Sequence, residues 1–178
     1  MHLEFMRSTA RQMPAVPNAG EITSLIVWHC KFDSLESLGS FTKLKALKIA
    51  GYPDSSLEPL KTLKQLQWLA VLHLPKVHDL EPLGALRKLI SLELATQPSW
   101  DSSGKRQVVK SLDPLAKLPR LAYLALLGVV PESKSLVSLE GSPSLVTGRF
   151  SGYPAKEVKR FYGASTLENA HIPSFPEA

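Results

Sequence analysis

The pattern Leu-x-x-Leu-x-Leu, read with Ile or Val allowed at its last position, returns four times in this chain, at Leu44-x-x-Leu47-x-Ile49, Leu66-x-x-Leu69-x-Val71, Leu89-x-x-Leu92-x-Leu94 and Leu121-x-x-Leu124-x-Leu126. An earlier copy is Ile22-x-x-Leu25-x-Val27 and a degenerate later one is Leu145-x-x-Gly148-x-Phe150, so the starts lie 22, 22, 23, 32 and 24 residues apart. A unit this short has no interior of its own, so adjacent copies must stack and share one. The alternating second half of each copy marks a strand with one buried face. Between strands the apolar residues step by three, as in Leu57, Leu60, Leu63, Leu66, and again in Leu80 to Leu89 and Leu112 to Leu121. A strict step of three fits 3₁₀ turns, where side chains at i and i+3 eclipse, better than an α-helix, and single α-helical turns are the expected variant.

The phase extends outward in both directions. Val158, Phe161, Ala164 and Leu167 keep the step of three, and Leu167-x-x-Ala170-x-Ile172 predicts a last strand stopped by Pro173. Met13, Val16, Ala19 and Ile22 do the same toward the start, where Leu3 and Phe5 occupy the core positions of an initial strand. The count is about eight rungs. Pro59, Pro82 and Pro114 share one slot, each behind a carboxylate, in Leu-Glu-Pro-Leu, Leu-Glu-Pro-Leu and Leu-Asp-Pro-Leu. Proline pre-sets the first turn of a helix and the acid meets the positive end of its dipole. Glu36, Glu58, Glu81 and Asp113 therefore have a structural task, not a metal-binding or catalytic one.

These residues resemble the leucine-rich repeat family, and the 22-residue period with Leu-x-x-Leu-x-x-Leu before the strand is most similar to its internalin-type class of short repeats. The resemblance covers nearly the whole chain. It implies an α/β fold, a right-handed solenoid of strands and 3₁₀ turns with one curved parallel sheet on the concave side. One domain over residues 1–178 is expected, with regular repeats about 22–153, irregular terminal repeats 1–21 and 154–178, and a loop insertion about 97–107. The family places Asn or Cys at the ninth position of each unit, whereas that column here reads Cys30, Tyr52, Leu74, Gln97, Val129, Tyr153 and Phe175. Only Cys30 conforms, so apolar packing must replace much of the usual hydrogen-bond ladder.

With the core positions fixed, the intervening strand residues face the concave side. The first column runs Ser24, Ala46, Trp68, Ser91, Tyr123, Thr147; the second Ile26, Lys48, Ala70, Glu93, Ala125, Arg149; the third Trp28, Ala50, Leu72, Ala95, Leu127, Ser151. Trp28, Ile26, Trp68, Leu72, Tyr123 and Leu127 thus fall on a face that folding does not require to be buried, and large apolar residues gathered on such a face point to a partner. The competing reading is that the insertion or a chain end folds over this surface. In the insertion itself, Trp100, Lys105 and Arg106 are candidate ligand contacts, because insertions project from one face of a solenoid.

No zinc signature, Gly-x-Ser-x-Gly elbow or phosphate-binding loop occurs. His29 and His73 share the eighth position but lie two rungs apart, roughly 10 Å, too far for one zinc. A single cysteine precludes an internal disulfide and, with no apolar run long enough for a signal peptide or a membrane span, fits a cytoplasmic setting. The expectation is a non-enzymatic module without metal or cofactor that binds an unidentified protein or peptide, with a homodimer through uncapped ends as a further possibility. The alternative is nucleic-acid binding: the net charge is +5, and Lys43, Lys45, Lys48, Lys64, Lys88 and Arg149 form a broken basic strip.

Overall fold

A computed structural model describes residues 1–176, and positions 177 and 178 of the expected terminal repeat lie outside the described residues. Seven parallel strands form one sheet: β1 (His2–Met6), β2 (Ser24–Trp28), β3 (Ala46–Ala50), β4 (Trp68–Leu72), β5 (Ser91–Ala95), β7 (Tyr123–Leu127) and β9 (Thr147–Ser151). Two further short strands, β6 (Gln107–Val109) and β8 (Val129–Pro131), pair with each other in a second sheet. The main register is that of the repeat. Ser24 pairs with Ala46, Ala46 with Trp68, Trp68 with Ser91, Ser91 with Tyr123 and Tyr123 with Thr147, so the three predicted columns run unbroken across the sheet.

The repeat leucines are the spokes. Leu25, Leu47, Leu92 and Leu124 are fully buried and Leu69 is 2% exposed. On the opposite side the chain makes 3₁₀ turns at Ala19–Glu21, Glu36–Ser40, Glu58–Thr62 and Glu81–Ala85, which lengthen to single α-helical turns in α2 (Asp113–Ala116) and α3 (Val137–Glu140). Pro59, Pro82 and Pro114 stand in the first turn of their elements, as the sequence predicts. A second device recurs beside them: the hydroxyl or carboxylate of Ser34, Ser56, Asp79 and Ser111 accepts the backbone N–H of Glu36, Glu58, Glu81 and Asp113, at 3.2, 3.2, 2.9 and 3.0 Å. Each pairs a backbone donor left orphaned by the turn and fixes where the turn starts.

Three expectations need correction. The insertion is not a loop throughout: Pro98–Ser103 form the short helix α1, begun by proline and followed by Gly104 at φ +73°. The ninth-position residue of that rung is Gln107, not Gln97. Gln97 is exposed, whereas Gln107 is buried, pairs with Val129, and its side-chain amide donates to the Val77 carbonyl. The inserted residues thus precede the ladder position rather than follow it. Finally, the expected last strand is reduced to one bridge between Thr147 and Glu168. Beyond it the chain leaves the sheet.

Elsewhere in the ninth column, polar atoms do more than the sequence suggests. Cys30 is half-buried and its thiol donates to the Phe5 carbonyl at 3.3 Å. The Tyr153 hydroxyl donates to the Val129 carbonyl, one rung back, at 2.8 Å. Burial raises the Tyr52 and Tyr153 pKa well above the ordinary phenol range, so both remain neutral donors. The C-terminal end of the core is covered by α4 (Ala155–Ala164), on which Phe161 is fully buried and packs edge-on against Phe150 at 5.3 Å between centroids. Among the described residues, no helix is long and apolar enough to cross a membrane.

Candidate interaction surface

Every strand must turn sharply where it leaves the sheet. The residue after β1, β2, β3, β4, β7 and β9 takes a positive φ: Arg7 +51°, His29 +49°, Gly51 +85°, His73 +64°, Gly128 +74° and Gly152 +87°. Left-handed backbone is cheap for glycine and more accessible to His than to branched residues. The rung of β5 departs from this column, because Thr96 leads into Gln97 and α1 instead. As a result α1 stands beside the ends of the strands and walls one side of a cavity.

That cavity, of about 390 Å³, is lined by Trp28, His29, Ala50, Leu72, His73, Thr96, Gln97 and Pro98. Trp28 and Leu72 come from the third concave column, and Ala50 between them is too small to fill the gap. Trp100 supports the wall by meeting His73 edge to face at 5.3 Å. The His73 pKa is lowered, first by burial and then by the neighbouring His29, and its Nδ1 is buried without a hydrogen-bond partner. The ring is therefore held neutral as part of an apolar wall. Among the described residues, no three His, Cys, Asp or Glu converge as a metal would require.

The middle of the face has a different occupant. Residues 168–176 run back over the sheet from β9 toward β2, and residues 171–175 line, with Lys48, Ala70, Glu93, Ala125, Leu127 and Arg149, a second cavity of about 390 Å³. Arg149 hydrogen-bonds the His171 ring at 2.5 Å. Lys48 Nζ lies 5.4 Å from the centroid of Trp28 and 5.9 Å from that of Phe175, a cation between two aromatic rings. Ile172, Pro173 and Phe175 also adjoin Trp68 and Ser91, and Pro176 reaches the neighbourhood of Ser24 and Lys45.

The predicted site residues therefore divide into groups. Trp28 and Leu72 line the first cavity; Lys48, Glu93, Leu127 and Arg149 line the second, and Trp68 lines a small recess beside it with Ile172, Pro173 and Phe175. Ile26 and Tyr123 are half-buried on the same face but line neither. Trp100, half-buried on α1, packs against His73 behind the first cavity without lining it. Lys105 is exposed, and Arg106 folds back, donating to the Lys105 carbonyl at 2.8 Å and lying close against Gly152. The basic strip is interrupted: Lys43 is paired with Glu21 at 2.7 Å and Lys88 donates to Gln65 at 2.5 Å. Thr96 and Pro98 were not legible as cavity residues in the sequence, because their role depends on where the insertion begins.

No family model and no curated protein matches the chain. Among solved structures, an internalin (inlF) from Listeria monocytogenes superposes over 82% of this chain and 46% of its own, with a TM-score of 0.54 and 16% identity. Internalin C2 from the same organism superposes over 72% of this chain and 52% of its own, with a TM-score of 0.52 and 23% identity. The chain spans about half the length of these internalin chains. Its seven parallel strands, 3₁₀-turn backs and leucine spokes, taken with these likenesses, make it a leucine-rich repeat solenoid of the internalin-like fold.

Proposed function

We propose that this chain is a non-enzymatic protein-interaction module that receives a protein or peptide partner on its concave face. The observation that carries the reading is the open apolar cavity between Trp28, Leu72 and Pro98. The core is complete without it, since the leucine spokes beneath are already fully buried. A half-buried tryptophan beside an unfilled apolar recess is the kind of anchor point on which interface energy concentrates. The fold supports an interaction role in general.

Affinity capture from the native host with the wild-type chain, Trp28→Ala and a convex-side control, Lys117→Ala, tests the reading. Partners that fall away at least tenfold with Trp28→Ala and persist with Lys117→Ala place the site on this face. Equal recovery by all three proteins would move it elsewhere.

A further inference from the structure

The segment that crosses the concave face is held in an unusual way for part of a folded domain. Among the described residues, backbone hydrogen bonds tie Glu168 to Val146 and Gly148, at 2.9 and 3.1 Å, and none ties residues 169–176 to the sheet. Anchoring beyond Glu168 comes from side chains. Ile172 and Phe175 are half-buried, while His171, Pro173, Ser174 and Pro176 remain exposed. Two inward residues three apart, each followed by proline, match an extended chain with three residues per turn. Such chains enter aromatic-lined grooves at low entropic cost because proline has already restricted them. The groove supplies the counterparts: Trp68 beside Ile172 and Phe175, Lys48 near the Phe175 ring, and Arg149 on His171.

We infer that residues 171–176 are an intramolecular placeholder, occupying a groove that recognises an extended peptide with an aliphatic residue and an aromatic residue three apart, each followed by proline. The inference rests on the reading of the concave face as an interaction surface and adds the chemistry of the ligand. A segment tethered to its own site competes at an effective concentration in the millimolar range. An incoming peptide must displace it, and its lack of backbone pairing makes displacement a local event that leaves the solenoid intact.

The test uses the full chain and a labelled synthetic peptide with the sequence of residues 168–178, followed by fluorescence polarisation. The I172S/F175S chain, altered only in an extended segment without backbone pairing, is expected to bind this peptide at least tenfold more tightly than the wild-type chain does. A peptide carrying the same two serines should bind neither. Equal affinity of the two chains, or binding by neither, overturns the inference. An independent check is elastase cleavage after the exposed Ala170, which should accelerate severalfold in Trp68→Ala relative to wild type; an unchanged rate also counts against the placeholder. Neither assay involves the native partner, so their failure leaves the reading of the face standing, and that reading falls only to the capture comparison.

Discussion

Gln107 shows how one side chain sets the geometry of a rung. Its amide satisfies the Val77 carbonyl inside the stack, and its backbone N–H donates to the Gly128 carbonyl at 2.8 Å. Gln107→Leu keeps the volume and leaves a buried carbonyl unpaired, so it is expected to lower stability by about 1–3 kcal/mol in urea unfolding. Counting nine positions from the strand leads to Gln97, since spacing alone does not tell on which side of the ladder position an insertion falls. Glu157 illustrates a second residue-level constraint. The Arg160 guanidinium, then the Leu136 N–H and the Ser135 hydroxyl, hold its pKa down to about 2, against 4.5 ordinarily. A depressed carboxylate stabilises the fold fully above its unfolded pKa and loses that contribution as pH falls through the folded value. Stability of the C-terminal end should therefore decline between about pH 5 and pH 2, and Glu157→Gln should flatten that part of a thermal-unfolding pH profile.

At the scale of elements, the strands and convex turns were readable because each apolar residue reports its own position. Leu83 is fully buried at the centre of its turn, and Leu83→Ala should cost about 2–5 kcal/mol, as measured by denaturant unfolding. The residues after the strands were less readable. Gly128 is at φ +74° and an added methyl would collide with the Thr96 side chain, so Gly128→Ala should destabilise by more than about 1 kcal/mol, whereas Gly141→Ala, with open space around it, should not. Helix α1 was hidden by its composition: Ser, Gly and Pro favour turns on average, yet proline at the first position and a left-handed glycine behind the last also delimit a helix. Removing residues 98–106 would leave a 23-residue spacing like that from Leu66 to Leu89. The solenoid is expected to survive with a melting temperature changed by only a few degrees, while Trp28 loses its facing wall and its fluorescence emission shifts to the red.

Over the whole molecule, the two ends of the sheet are finished differently. The β9 end is covered by α4 and Phe161, whereas β1 is an edge strand on which Leu3 and Phe5 are only half-buried and Met6 is 54% exposed. In a stack stabilised by neighbour-to-neighbour contacts, exposure at one end sets the order of opening. Amide hydrogen exchange should be fastest in β1, slowest in β4 and β5, and intermediate in β9. This much of the architecture follows from a repeat that can be counted by eye. The path of residues 168–176 does not, because nothing in a weak terminal copy of the pattern distinguishes a strand that adds to the sheet from a segment that crosses it. That path has a consequence for length. The core, turns and ladder bind each rung to the next and would accept a repeat gained or lost, but Phe175 must reach Lys48 from a starting point fixed at Thr147. A repeat gained between β3 and β9 would leave the aromatic ring short of its cation, and one lost there would carry it past, so the crossing segment is a gauge matched to the rungs it spans.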